Sequence, residues 1–289
     1  MKAMDSNPAC EFEGRGGLAA LRLQHPSGAA VEVYRNGAHV TSWVLPRGEE
    51  MLFLSSRSRW EEGKAIRGGI PLVFPQFGPG PLPQHGFART SLWSLAEAGL
   101  ARDGSVRALF RLEDTDSTRA IWPHRFSAGL EVALKEDSLS VSLEIVNRDE
   151  EPFSFQAALH TYFRVEDISA VTLEGLRGVE FVDSLRGGAR EAEEREAITF
   201  ECETDRIYDN VPETLRLVDA ARGRTLVISS SGMRDAVVWN PWVEKSRRME
   251  DFGDDEYTRM LCVETGVVLQ PVTLEPGASC SGRSVFEAG

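Results

Sequence analysis

One histidine, His160, lies inside the apolar run Phe155-Gln156-Ala157-Ala158-Leu159-His160-Thr161-Tyr162-Phe163. Imidazole is the side chain whose unperturbed pKa lies near neutrality, so the chemistry on offer there is general acid or base catalysis. A lone histidine in such a run is more often a satisfied core residue. Glu264 interrupts a second apolar run, Leu261-Cys262-Val263-Glu264-Thr265-Gly266-Val267-Val268. Buried without a partner it would cost several kcal/mol, so it needs a partner, a task, or exposure at a bulge or strand end near Thr265-Gly266. Arginines bracket a third stretch, in which Ile66-Arg67-Gly68-Gly69-Ile70-Pro71-Leu72-Val73-Phe74-Pro75-Gln76-Phe77-Gly78 is followed by Gln84-His85-Gly86-Phe87-Ala88-Arg89. Its glycines and prolines exclude regular structure over most of its length, and long irregular loops in compact domains commonly carry binding residues. Composition alone would make it an ordinary loop with two solvated arginines. In Glu203-Thr204-Asp205-Arg206-Ile207-Tyr208 a carboxylate stands beside an apolar strand end, and Val237-Val238-Trp239-Asn240-Pro241-Trp242 reads as a strand stopping at an Asn-Pro turn.

The elements that must position these groups are strands. Leu130, Val132 and Leu134 alternate with Glu131, Ala133 and Lys135; Leu139, Val141, Leu143 and Ile145 alternate with Ser140, Ser142 and Glu144; Glu136-Asp137-Ser138 forms the turn between them. A second hairpin sets Leu21 and Leu23 against Val31 and Val33 across Pro26-Ser27-Gly28. A third runs from Leu215 and Leu217 through Arg222-Gly223 to Leu226 and Ile228. Short strands with regular turns predict an all-β, antiparallel β-sandwich. Helical pattern is scarce and best near Glu244 to Met249, and no strand-helix alternation suggests a parallel sheet. Arg190 to Glu196 mixes charges without an apolar stripe and reads as a solvated loop without function. With no fixed-period repeat and no linker composition, the expectation is one domain over residues 1–289, residues 1–16 being a loosely ordered extension.

The chain has 289 residues and a net charge of −13, a field that repels nucleic acid and anionic membrane, so neither is an expected partner. The same field disfavours an anionic small molecule, so any phosphate site must be made locally by arginines converging in one cleft. No apolar run approaches the roughly 20 residues of a membrane span, and residues 1–17 lack the apolar core of a secretory signal. A soluble, cytoplasmic protein is expected. Cys10, Cys202, Cys262 and Cys280 are scattered, with no C-x-x-C pair, and read as reduced thiols.

Taken together and in order, IRGGIPLVFPQFG, QHGFAR, LHTYF, TDRIY, VVWNPW and CVETG resemble the hexose-6-phosphate mutarotases, or glucose-6-phosphate 1-epimerases, of the aldose-epimerase superfamily. The resemblance runs from about Ala29 to the C-terminus. It implies a large antiparallel β-sandwich of the galactose-mutarotase-like supersandwich type, with its active site in a cleft on one sheet. It also implies that the LHTYF histidine, His160, is the general acid and the CVETG glutamate, Glu264, the general base. Arg67, Gln84, Arg89 and Asp205 match the family's substrate-binding positions, with His85 in a supporting role.

On that resemblance Glu264 takes the proton of the anomeric hydroxyl while His160 protonates the ring oxygen, the ring opens, and reclosure on the other face gives the opposite anomer. No redox step or covalent intermediate is needed, so no cofactor and no metal are expected. The implied resting state has His160 protonated and Glu264 ionised, each stabilised by the other or by Asp205. The expected partner is a small-molecule sugar phosphate gripped by Arg67 and Arg89, with Lys64 and Lys245 as lesser candidates, and the expected assembly is a monomer. The rival readings are an aldose 1-epimerase acting on free hexose and a carbohydrate-binding protein without catalysis.

Overall fold

The computed structural model describes residues 7–289. Every ladder between named strands is antiparallel, and the strands fall into sheets of four, eight and nine. The four-stranded sheet is a meander of Ala9–Glu13, Ala19–Gln24, Ala30–Tyr34 and His39–Val44. The nine-stranded sheet has the long hairpin Phe126–Leu134 and Ser138–Asn147 near its middle, in a register that sets Leu130 opposite Leu143 and Val132 opposite Val141. The other two expected hairpins also form as patterned, with Leu21 opposite Val33 and Leu217 opposite Leu226. One apolar cluster draws from all three sheets, through Leu23 and Val33, Ala157 and Val263, and Phe110 and Val132. Removing such side chains from water supplies about 1.5–3 kcal/mol each and gives the sandwich its two-residue pattern.

The eight-stranded sheet carries the candidate residues. Its order is Ala189–Ala192, Glu180–Asp183, Thr204–Tyr208, Asp235–Asn240, Met260–Leu274, Phe153–Leu159 and Leu72–Val73, with Tyr162–Arg164 also paired to Met260–Leu274. Met260–Leu274 is buried on both faces over its first nine residues. Leu261 and Val263 enter the sandwich core, so Cys262 and Glu264, one step out of phase, face the opposite side.

Two expectations are corrected. The loosely ordered extension over residues 1–16 fails from Ala9 onward, because Ala9–Glu13 pairs along its full length with Ala19–Gln24; residues 1–6 lie outside the described residues. Arg190 to Glu196 is not simply a solvated loop. Arg190 and Glu191 pair in a ladder with Glu180–Asp183, and Glu193 is buried, accepting from Arg195 Nε and Nη2 at 2.7 Å and from the Tyr208 hydroxyl at 2.9 Å. The charges that broke the apolar pattern are there to satisfy one another. A short helix at Asp116–Ile121, capped by Thr115, went unread, whereas the helix expected near Glu244 to Met249 forms over Trp242–Arg248.

Candidate active site

The pairing register builds the site before any side chain is considered. Phe153–Leu159 and Tyr162–Arg164 both pair with Met260–Leu274, Leu159 opposite Thr265 and Tyr162 opposite Cys262. The two residues between them therefore meet the two residues between Cys262 and Thr265, and His160 stands across from Glu264. The row continues through Val237, which is opposite Glu264, to Ile207. The next row on the same face is Tyr162, Cys262, Trp239 and Asp205. Cross-strand neighbours have Cβ atoms only about 4.5–5.5 Å apart, so two adjacent rows place the histidine, glutamate and aspartate in one cleft.

His160 Nε2 lies 3.3 Å from Glu264 Oε1. Glu264 is 2% exposed and His160 7%, so neither the strand-end exposure considered for Glu264 nor the satisfied core histidine is found. His160 Nδ1 and Glu264 Oε2 are buried without hydrogen-bond partners among the described residues. Burial weighs against the expected protonated imidazole and ionised carboxylate in the free site. Burial, helped by His85, Arg67 and Arg89, holds His160 well below its ordinary pKa, and burial, helped by the negative Asp205, pushes Glu264 well above its own. Asp205 thus opposes the carboxylate charge it was expected to support.

Arg67 reaches the cleft because the two residues after it turn back sharply. Gly68 has φ 109° and Gly69 φ 63°, and a Cβ on either would lie 2.4 Å from the Phe53 carbonyl oxygen or 2.2 Å from that of Val40. His39, fully buried, donates from Nε2 to the Gly68 carbonyl at 2.7 Å, while Ser55 N and Ser58 Oγ donate to the Arg67 carbonyl. The Arg67 side chain donates from Nη1 to the Tyr162 hydroxyl at 3.0 Å and from Nε and Nη2 to Asp251 Oδ2 at 3.2 and 3.1 Å. Burial opposes its charge, and Tyr162 and Asp251 more than restore it.

Arg89 donates from Nη2 to the Gln84 carbonyl at 2.8 Å, and its buried Nε has no partner among the described residues. Burial, followed by Arg67, lowers its pKa, so this is the cation most in want of an anion. His85 sits at φ 64° with its ring 5.6 Å from that of His160, and its Nδ1 accepts from Gly78 N at 3.3 Å. Burial, with Arg89 and Arg67, lowers it to about 3, so it stays neutral, with its proton on Nε2. Gln84 is exposed, and its visible role is the backbone carbonyl that steadies Arg89.

Asp205 lies 3.5 Å from Lys245 Nζ, which also approaches Glu203 at 3.2 Å and stands 5.7 Å over the Trp239 ring. The structure therefore brings His160, Glu264, Arg67, His85, Arg89 and Asp205 to one face and leaves only the Gln84 side chain outside. Lys64 is exposed, and its carbonyl is tied to Asn36, whereas Lys245 belongs to the cleft wall. Tyr162 and Asp251 were missed. Two-residue spacing from His160 could have found Tyr162, but Asp251 sits in a charged stretch with no periodicity to mark it. Among the described residues no three His, Cys, Asp or Glu cluster as metal ligands would.

A large antiparallel sandwich presenting an imidazole and a carboxylate to one cleft is the form expected of a sugar mutarotase. The chain belongs to the aldose 1-epimerase family, whose model matches residues 19–287. It is 42% identical over 280 residues to a Cenchrus ciliaris protein named "Putative glucose-6-phosphate 1-epimerase", covering 94% of this chain and 85% of that one. An Escherichia coli protein of the same name is 36% identical over 266 residues, covering 90% and 88%. Among solved structures, the "putative mutarotase (YeaD)" of Salmonella typhimurium superposes with a TM-score of 0.90 at 29% identity, over 100% of this chain and 96% of that one. The galactose 1-epimerase of Lactobacillus acidophilus, with a TM-score of 0.72 at 15% identity over 98% of each chain, shares the fold.

Proposed function

We propose that this chain interconverts the α and β anomers of a hexose 6-phosphate, glucose 6-phosphate above all, by acid-base ring opening and reclosure. The observation that carries the proposal is the 3.3 Å approach of His160 Nε2 to Glu264 Oε1 on a face that also presents Arg67 and Arg89. Glu264 takes the proton from the anomeric hydroxyl and His160 delivers one to the ring oxygen. The bond beside the new aldehyde rotates, and the same two transfers in reverse close the ring on the other face. Arg67 and Arg89 hold the phosphate, while Asp205 and His85 Nε2 address hydroxyls of the ring.

The free site's electrostatics fit this cycle through charge balance. A neutral His160 with a protonated Glu264 holds the same single proton as an imidazolium with a carboxylate, so only its position must change. Burial first, and then His85 and the two arginines, hold His160 down in the free site. A phosphate dianion bound between the arginines offsets their field and lets the proton move to the imidazole. The names of the relatives support the phosphorylated substrate, and the arginine pair agrees with it in a chain of net charge −13. With that charge, and no helix among the described residues long and apolar enough to cross a membrane, we take the protein to act as a cytoplasmic monomer on a small molecule, apart from nucleic acid or membrane.

Anomer exchange of glucose 6-phosphate followed by NMR exchange spectroscopy, with the uncatalysed rate subtracted, tests the reading. His160→Ala and Glu264→Ala each abolish most of the acceleration; a rate near wild type in either overturns the assignment. Glucose in place of glucose 6-phosphate separates this activity from that of a free-hexose epimerase, and binding without acceleration would reveal a carbohydrate-binding protein.

A further inference from the structure

An arginine side chain has five N–H donors. Arg67 commits three of them inside the protein: Nε and Nη2 to Asp251 Oδ2, and Nη1 to the Tyr162 hydroxyl. One N–H on each terminal nitrogen is left, a pair suited to two oxygens of one phosphate. Placing a carboxylate 3.1 Å from a guanidinium that must attract an anion is electrostatically counterproductive unless the carboxylate does something else for that guanidinium. Resting on the reading of Arg67 as a phosphate grip, we propose that Asp251 is a positioning residue that orients Arg67 and so sets the preference for phosphorylated over free hexose.

The surroundings of Asp251 are built for holding it still. It lies in the connection from the helix Trp242–Arg248 to the strand Met260–Leu274, and both of its chain neighbours are anchored to the loop that precedes Arg67. Glu250 pairs with Arg59, and Phe252, fully buried, packs its ring 5.6 Å from that of Phe53. Two steps on, Asp254 Oδ1 takes Arg57 Nη1 at 3.0 Å, and Glu256 accepts from Ser56 N at 2.7 Å and from Gly253 N at 2.8 Å. The Asp251 and Arg67 side chains are about one-fifth and one-quarter exposed, so their pair is less screened than a surface ion pair. Among the described residues Arg89 has no comparable carboxylate partner and its Nε is unpaired, so the two arginines divide the work. Arg89 supplies uncompensated charge, and Arg67 supplies direction.

The test is the ratio of kcat/KM for glucose 6-phosphate to that for glucose, measured on Asp251→Ala, Asp251→Asn, Arg67→Ala and the Arg67→Ala/Asp251→Ala pair. A loss of folded protein lowers both terms alike and leaves the ratio untouched. Asp251→Ala lowers the ratio about tenfold through KM, the low end of what a hydrogen bond to a charged group is worth. Asp251→Asn, which keeps an acceptor oxygen for Arg67, recovers part of it, and the double variant is no worse than Arg67→Ala alone. Calorimetric titration with inorganic phosphate gives the same ranking for variants too slow on glucose. An unchanged or higher ratio in Asp251→Ala, with Arg67→Ala still lowering it, overturns the role of Asp251 alone. An unchanged ratio in Arg67→Ala overturns the phosphate grip itself, and this inference with it.

Discussion

The Tyr162 ring lies 4.8 Å from the His160 ring with the two planes 8° apart, so the imidazole at the centre of the site rests flat on a phenol. Tyr162 is fully buried, its hydroxyl accepts from Arg67, and burial pushes its pKa up, so it is a neutral platform at working pH. One side chain thus fixes the orientation of His160 and one edge of Arg67.

Tyr162→Phe separates those two tasks. The stack on His160 survives, and Arg67 loses an acceptor whose hydrogen bond is worth about 1 kcal/mol, with more at stake because the donor is charged. The expected outcome is a KM for glucose 6-phosphate raised severalfold with a smaller change in kcat, measured by steady-state anomerisation. Tyr162→Ala removes the platform as well and costs about 3–5 kcal/mol of stability by urea denaturation, as other buried aromatic truncations do. A fall in kcat without a rise in KM in Tyr162→Phe would place the hydroxyl in the proton transfers instead.

The pH profile of kcat/KM has a sign that follows from the buried pair. In the proposed mechanism the working state holds one proton between His160 and Glu264. It is lost on the acid side when the imidazole gains a second proton, and on the alkaline side when the carboxyl gives up its own. Burial, together with the arginines, holds the first event below the ordinary histidine range, and burial with Asp205 holds the second above the ordinary carboxylate range. The bell is therefore broad and flat through neutrality. Arg89→Ala removes one of the cations depressing His160, so its acid limb moves to higher pH. A limb that stayed in place or moved the other way would contradict the field assigned to Arg89.

Stability should also depend on pH, through His39. Burial lowers this imidazole from 6.5 to about 4. The folded state binds its proton less readily than the unfolded chain, so stability is intact above pH 6.5 and is lost as pH falls toward 4. The His39 contribution to that loss is about 3 kcal/mol. His85, lowered to about 3, acts in the same direction. His39→Gln keeps a donor for the Gly68 carbonyl and removes the titration. Urea midpoints measured between pH 7 and pH 4 should then fall less steeply than in the wild-type protein, and an unchanged slope would assign the acid sensitivity elsewhere.

The three hairpins, the sandwich and the facing pair could be read from residue order because each rests on two-residue alternation or on a motif with fixed members. His160 and Glu264 stand out as polar breaks in apolar runs; Glu264 stays inside the strand Met260–Leu274, whereas His160 falls in the two-residue gap between Phe153–Leu159 and Tyr162–Arg164. Their protonation could not be read in the same way. It depends on how little water and how few donors remain once both strands are buried, and sequence does not display that quantity. Asp251 and Glu193 stayed hidden for a related reason. Each lies in a run of mixed charge, where a carboxylate clamped by arginines looks the same as one bathed in solvent.

The backbone pairs Leu159 with Thr265 and Tyr162 with Cys262 bracket His160 and Glu264. The gap between the proposed acid and base is consequently gauged by the ladders that flank it, although His160 itself lies in the two-residue break between Phe153–Leu159 and Tyr162–Arg164. Arg67 and Arg89 hang from irregular segments outside that frame. Such a scaffold can exchange the handle by which it holds a sugar while leaving the proton-shuttling centre untouched, so relatives differing in ligand need not have rebuilt the reaction.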